Sequence, residues 1–552
     1  MRAVAAVVVL AALAACARTP QPASVDPAAA SRIEADVRYL ADDRLQGREA
    51  GTAGYDLAAE YVARRYRDIG LQPAGDDGSF FQQVPLLKAT REQDGARFEI
   101  ERDGRTTTLA FQHQYLPALN YNAASHSLRA PAVFVGQGVY APQLQHDDFA
   151  GVDLRGKIAV VFGGAPARFD NDRRAFHSSG REKLRELAER GAVGVVFVST
   201  DEDEARSPWA RGSAGWRKPG MRLRGEDGQG IDTWPQLQAA ASVPAAAAGL
   251  VFAGGPHTAQ ALFAQAKAGT LKAFDLPGTI TLAGRTRIEP AQSRNVVAKL
   301  AGSDTTAGSE HIVYTAHLDH VGIGVPVNGD SIYNGALDNA LGVSIMLEAA
   351  RELANGGTHP KRSLLFVALT AEEKGLLGAE WFATHPTVPK DSLVANINMD
   401  MPVMLTASRD IVPIGIEHSS LQSAVQTAAS ELALALSPDP FPEEVVFVRS
   451  DQYAFIRAGI PAVYLKGGVV AAGDGADPKA AMRAFLSDCY HQPCDDASQP
   501  IQYGDAAQLA RLNARIGMLV GNDAARPSWN DGDFFGDAYA PSSRSLDAAG
   551  AH

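Results

Sequence analysis

Six consecutive apolar residues, Leu364 to Leu369, run straight into Thr370-Ala371-Glu372-Glu373-Lys374-Gly375. A strand with no polar alternation has to be buried on both faces, and sheets covered on both faces are mostly parallel, joined by crossover helices. The same texture recurs at 295–300, 311–316, 393–398 and 460–465, with helical segments such as 337–353 between them. The fold class this predicts is α/β, a mostly parallel central sheet flanked by helices. In open sheets of this kind functional groups collect just past the C-terminal ends of the strands.

That is where this chain places its acids and histidines. His317-Leu318-Asp319 closes the strand that starts at His311. Residues 317 and 319 of an extended segment point the same way, so Asp319 is placed to accept the second N–H of a ligating His317 and fix its ring. Asp338 lies in Gly335-Ala336-Leu337-Asp338-Asn339-Ala340 at the start of a predicted helix, where it reads equally as an N-cap or as a carboxylate shared by two cations. Glu372 and Glu373 diverge as neighbours, which lets one bind metal while the other holds a water. Asp400 ends the strand 393–398, and His491 sits in the loop Tyr490-His491-Gln492-Pro493-Cys494-Asp495-Asp496, with Asp495 or Asp496 available as its partner. His311 and His320 are assigned no role. Two histidines and several carboxylates on separate strand ends are the donors that a pair of divalent cations needs, which reads as a metallohydrolase.

At 552 residues the chain is too long for one core. Its 46% hydrophobic and 21% charged residues suit a globular protein, and a net charge of -12 without a Lys/Arg cluster argues against nucleic acid as a partner. The stretch 31–125 opens with a helical pattern at 33–40. The Gly-rich turn 45–54 and an amphipathic helix at 55–69, stopped by Gly70, follow. The stretch from about 130 to 275 differs in texture. It has strands at 158–162 and 193–198, a helix at 183–190 and a charged, Gly-rich segment 201–234 read as loop.

The order His-x-Asp, Gly-Ala-x-Asp-Asn, Glu-Glu, Asn-x-Asp and Tyr-His-x-Pro resembles the co-catalytic zinc aminopeptidases, a family that includes bacterial leucyl aminopeptidases and, more distantly, glutamate carboxypeptidases. Gly47-Arg48 with Gly51-Thr52 and Gly54, and Ser450-Asp451-Gln452-Tyr453 with Gly459-Ile460-Pro461-Ala462, extend the likeness. The family often has Ser where this chain has Leu341, which is not a ligand position. The stretch between resembles the protease-associated domain, an α/β module inserted in several exopeptidases. The resemblance implies a zinc exopeptidase-like fold divided into a first peptidase segment (31–125), an inserted domain (126–280), a catalytic domain (281–520) and a polar tail (521–552). It implies two Zn2+ per chain, one held by His317 and Asp400 and the other by Glu373 and His491, with Asp338 bridging. Glu372 would be the general base, Asp319 the residue that orients His317, and peptides the substrates. A carboxypeptidase or dipeptidase, for which Arg449 and Arg457 are candidate carboxylate grips, and a non-catalytic binding protein are the alternatives.

Arg2 and the apolar run 3–15 end in Leu13-Ala14-Ala15-Cys16, which resembles the bacterial lipoprotein cleavage box. This implies a signal peptide (1–16), a lipid anchor on Cys16 as the membrane contact, a tether (17–30), and an enzyme facing the periplasm or cell surface, or else secreted. Cys489 and Cys494 flank His491, and in an oxidising compartment a disulfide between them is expected.

Overall fold

The computed structural model describes residues 26–540, so the signal peptide, Cys16 and most of the tether lie outside the described residues. The first helix, Pro27–Leu40, takes in the last residues of the expected tether; Asp26 caps it by accepting from the Ala28 amide.

The central sheet runs in the spatial order Ala435–Leu436, Asp410–Ile414, Ala462–Gly467, Leu393–Asn398, His311–His317, Ser363–Leu369, Phe274–Leu300. His311–His317 is parallel to both Ser363–Leu369 and Leu393–Asn398, which is in turn parallel to Ala462–Gly467. Because side chains alternate along a strand, Leu364, Phe366 and Ala368 face one layer while Leu365, Val367 and Leu369 face the other. The first layer is built by Pro27–Leu40, Ala53–Ile69, Leu341–Asn355 and Tyr503–Asn522, through residues such as Val37, Tyr66, Met346 and Leu512. The second is thinner, with Phe382 of Leu377–Thr384 and Phe455 of Gln452–Arg457. The α/β class and the mostly parallel sheet read from the apolar runs are thus what the chain builds.

Two long strands, Phe81–Arg102 and Phe274–Leu300, pair antiparallel along much of their length and carry the sheet out of this layer into a second lobe. There Ser125–Phe134, Ile158–Phe162, Gly194–Val198 and Ala239–Val243 form a parallel set with its own core, including Phe134, Phe162, Val196 and Phe252.

Three local readings are corrected. The segment 201–234 is not plain loop: it holds the helices Asp201–Arg206 and Trp209–Ala214, and its strand Gly220–Leu223 pairs with Phe81–Arg102. The helix expected from Leu337 begins at Leu341, since Asp338 has φ -116° and ψ 87° and lies in an irregular turn before it. The stretch beyond 521 was expected to be a loose tail. Within the described residues it packs down, with Phe535 buried against Phe447 and the Trp529 indole N–H donating to the Gly459 carbonyl at 2.9 Å. Scattered aromatics in a polar segment carry no period, which is why that docking could not be read. Among the described residues no helix is long and apolar enough to cross a membrane.

Candidate metal centre

The central sheet delivers its strand ends to one place. His317 is the last residue of its strand, Asp400 follows Leu393–Asn398, and Glu372 and Glu373 follow Ser363–Leu369. Asp338 and His491 come in on loops. His317 Nε2 lies 3.0 Å from Asp400 Oδ1 and 3.3 Å from Asp338 Oδ1. His491 Nε2 lies 3.2 Å from Asp338 Oδ2 and 3.1 Å from Glu373 Oε2. The two oxygens of Asp338 therefore face two different donor groups. Tetrahedral ligands at zinc bond lengths stand about 3.3 Å apart, so both groups have the spacing of a shared coordination sphere.

His320 joins the second group, contrary to the reading that gave it no role. It is fully buried, and its Nδ1 lies 2.8 Å from Glu373 Oε1 without hydrogen-bond geometry. Its position directly after His-x-Asp was the available signal. His311, by contrast, sits at the far end of the same strand against the Ser392 hydroxyl, 2.9 Å away.

The electrostatics show that positive charge is demanded at both points. Burial disfavours the charge on His317, yet Glu372, Asp400 and Asp338 outweigh it and hold the ring well above the usual imidazole range. Burial is likewise overcome at His491 by Glu373 and Asp338. Burial would raise Glu373, but His491 and His320 push it down to about 2 against the repulsion of Asp338. Glu373 Oε1 and both ring nitrogens of His320 are buried with no hydrogen-bond partner. Orphaned donors converging with carboxylates fit divalent cations, which bind deprotonated ligands and displace such protons.

Two buried acids build the loops that present these donors. Asp319 was expected to hold His317 through its carboxylate. Instead His317 Nδ1 faces the Asp319 main-chain oxygen at 3.2 Å, and the carboxylate accepts the amides of Glu372 (3.0 Å) and Glu373 (3.3 Å). Asp495, one of the two acids offered as a partner of His491, accepts the amides of Leu337 (2.8 Å) and Asp338 (3.0 Å). A buried carboxylate with two amide donors can pin a turn that has no helical or strand bonds of its own. Burial pushes each of these acids up to about 7.

Arg48 completes the frame. It is 1% exposed and donates to the carbonyls of Leu318 (2.9 Å), Gly335 (3.1 Å), Asn334 and Leu40. The preceding Gly47 has φ +68°, and a Cβ there would meet the Tyr333 carbonyl at 2.3 Å, so only glycine lets this loop approach. The Gly47-Arg48 pair was legible as a motif, but its role as a clamp on carbonyls was not. The disulfide joins Cys489 and Cys494 and closes the loop around His491.

The centre opens into a cavity of about 1740 Å³ between the two lobes. Glu372 lines it beside His317, Asp338, Asp400 and His491, while the second lobe contributes Phe162, Gly164 and Asp201. Burial raises Glu372 well above the usual carboxylate range, with His317 opposing and Asp400, Glu373 and Asp451 adding to it. Of the two arginines considered as carboxylate grips, Arg449 lines the cavity, but Arg457 does not and pairs with Glu380 at 3.3 Å.

A convergent His/carboxylate set at the C-terminal edge of a mostly parallel sheet defines this unit as a zinc exopeptidase-like α/β domain. Residues 295–516, which carry every metal-site donor named above, match the model described as Peptidase family M28. The chain is 35% identical over 114 residues to a "Probable zinc metalloprotease" of Pyrenophora teres f. teres, covering 21% of this chain and 23% of that protein. It is 29% identical over 178 residues to Carboxypeptidase Q of Mus musculus, covering 32% and 33%. These matches span only a quarter to a third of the curated relatives' length. The solved aminopeptidase from Aneurinibacillus sp. strain AM-1 aligns with a TM-score of 0.52 at 20% identity, covering 91% of this chain and 95% of that one. At that identity the likeness shows the fold alone, and its coverage takes in the second lobe.

Proposed function

We propose that the chain is a two-zinc exopeptidase that releases N-terminal amino acids from peptides. The observation that carries this reading is the split of Asp338, whose Oδ1 faces His317 and Asp400 while Oδ2 faces His491 and Glu373. His317, Asp400 and Asp338 would hold one cation; Asp338, Glu373 and His491 would hold the other, with His320 behind Glu373. Zinc bound there supplies a Lewis acid and lowers the pKa of a water. Glu372 faces the cavity with a raised pKa, so it can take the proton of the attacking water and pass it to the leaving amine. Asp319, Asp495 and Arg48 keep the ligand loops from relaxing, and the second lobe walls the cavity so that short peptide ends fit better than folded chains.

Aminoacyl-anilides tested beside their N-acetylated twins check this, and equal turnover of both would count against an aminopeptidase. Metal analysis should find about two zincs per chain, with activity lost on chelation. Glu372→Ala should keep its metal and lose about 10²–10⁴-fold in kcat; normal turnover would remove Glu372 as the base. We further propose that the second lobe is a protease-associated domain and that Cys16 carries a lipid holding the enzyme at the outer face of a bacterial membrane. Palmitate labelling, lost in Cys16→Ser, checks the anchor.

A further inference from the structure

The cavity wall beside Asp400 carries a cation that the proposed reaction does not use. On the strand Ala462–Gly467, Tyr464 and Lys466 share one face. The Tyr464 hydroxyl donates to the main-chain oxygen of Asp400, so this face looks at the metal centre, and both side chains line the cavity. Lys466 Nζ lies 5.2 Å from the Tyr464 ring centre, within the charge fields of Asp400, Asp338, Asp439 and Arg449. Among the described residues its ammonium makes neither an ion pair nor a hydrogen bond. Of the neighbouring cations, Arg449 already has an anion, while Arg483 has, like Lys466, only an aromatic ring. Arg449 pairs with Glu444 at 3.0 Å, and Arg483 lies over the Phe441 ring at 5.0 Å. Asp439 accepts the Phe441 amide at 2.9 Å and stands outside ion-pair range of Lys466.

A half-buried ammonium without an anion is costly, and a carboxylate arriving from the cavity relieves that cost with a charge-assisted hydrogen bond. Divalent cations on Asp338, Glu373 and Asp400 would neutralise the acids nearby, so an anion entering here would not be repelled. We propose that Lys466 anchors a carboxylate of the peptide substrate, which makes this site selective for an anionic group near the scissile bond. The proposal rests on the peptidase reading above. The carboxylate can come from the free C-terminus of a dipeptide or from an acidic side chain on the released residue.

The test compares two substrate pairs on the zinc-loaded full chain: Leu-Gly against Leu-Gly-amide, and Glu-anilide against Gln-anilide. The wild type should prefer the acid of one pair by about tenfold or more in kcat/KM, the size of one charge-assisted hydrogen bond. Lys466→Met should collapse that ratio towards one, mainly through KM, and Lys466→Arg should keep most of it. The pair that responds identifies the source of the carboxylate. Ratios near one in the wild type, or unchanged in Lys466→Met, overturn the proposal. If no peptide is cleaved, the peptidase reading fails separately, and calorimetric binding of Leu-Gly and its amide still reads the anchor. Binding of Glu-anilide and Gln-anilide is read alongside; weakening confined to the acid of either pair in Lys466→Met supports the anchor, and equal binding within both pairs overturns it.

Discussion

Each lobe buries a cation where its loops meet its strands, and the two are served differently. In the catalytic lobe Arg48 donates to carbonyls of the ligand-bearing loops, and Asp495, Asp319, Asp338 and Glu373 surround it; burial still brings it down to about 10. In the second lobe Lys183, 2% exposed, donates to the carbonyls of Gln137 and of Gly164 (2.7 Å). Burial brings it down to about 7 with Asp148 opposing. Both cations tie loops together. What separates the lobes is the surplus of acid around Arg48, which exceeds what one guanidinium can balance and so calls for further positive charge. Around Lys183 the one opposing acid is Asp148, and the second lobe meets the cavity with Gly163, Gly164 and Thr200 and with the acids Asp201, Glu202 and Asp203 set among Arg174, Arg206 and Arg211.

The sharpest way to break this contrast is to remove the carboxylate that both donor groups share. Asp338→Ala should abolish metal binding and bring activity to background, whereas the same change at Asp203 on the cavity's opposite wall should leave the metal content intact. Metal analysis of both variants reads the difference. Retained metal in Asp338→Ala would place the bridging role elsewhere.

Replacing the buried cations comes next. Arg48→Met strands several buried carbonyls, and a loss of about 3 kcal/mol or more in denaturant unfolding is expected. Lys183→Met strands fewer, and about 1–3 kcal/mol is expected. Arg48→Met should also weaken zinc retention, because its carbonyls belong to the loops around Asp319 and Asp338; Lys183→Met should not. Equal zinc retention in the two variants would show that Arg48 only stabilises.

The smallest effect sits where the lobes meet. His418 Nδ1 lies 2.7 Å from Asp533 Oδ2 and its Nε2 lies 3.8 Å from Asp172 Oδ1, on the second lobe. Burial opposes the charge on His418, but the hydrogen bond with Asp533 and the charge of Asp172 raise its pKa above the usual value. A raised histidine stabilises fully below the unfolded value near 6.5 and loses that contribution as pH rises through the folded one. The stability difference between wild type and His418→Gln should therefore shrink from about pH 6 upward, as read in unfolding curves at several pH values. A difference that grows with pH would reverse the assignment.

The apolar runs at 311–316 and 364–369 announced the parallel sheet because their burial on both faces leaves no other arrangement. His317, Glu372, Glu373 and Asp400 come together because strand ends in such a sheet converge, whereas Asp338 and His491 reach the cluster on loops. Asp319 and Asp495 show the limit. Both were recognised as supporting acids, but each was given a histidine as its partner when each holds a pair of amides. Which polar group a buried acid finds depends on loop paths, and loop paths have no period to read. His320 stands directly after His-x-Asp, but its contact with Glu373 comes from the fold.

By itself the sequence determined the α/β class, the order of the strands that end in acids and histidines, and the paired cysteines around His491. Those features are local, fixed by apolar runs and by neighbours a few residues apart. Only the tertiary structure decided that Asp338 divides its oxygens between two donor groups, that Arg48 clamps three separate segments, that the stretch after 521 packs against the site's layer, and that Lys466 faces the same cavity as Glu372. Each of these joins residues far apart in the chain, and such distances close only when the whole sheet is assembled.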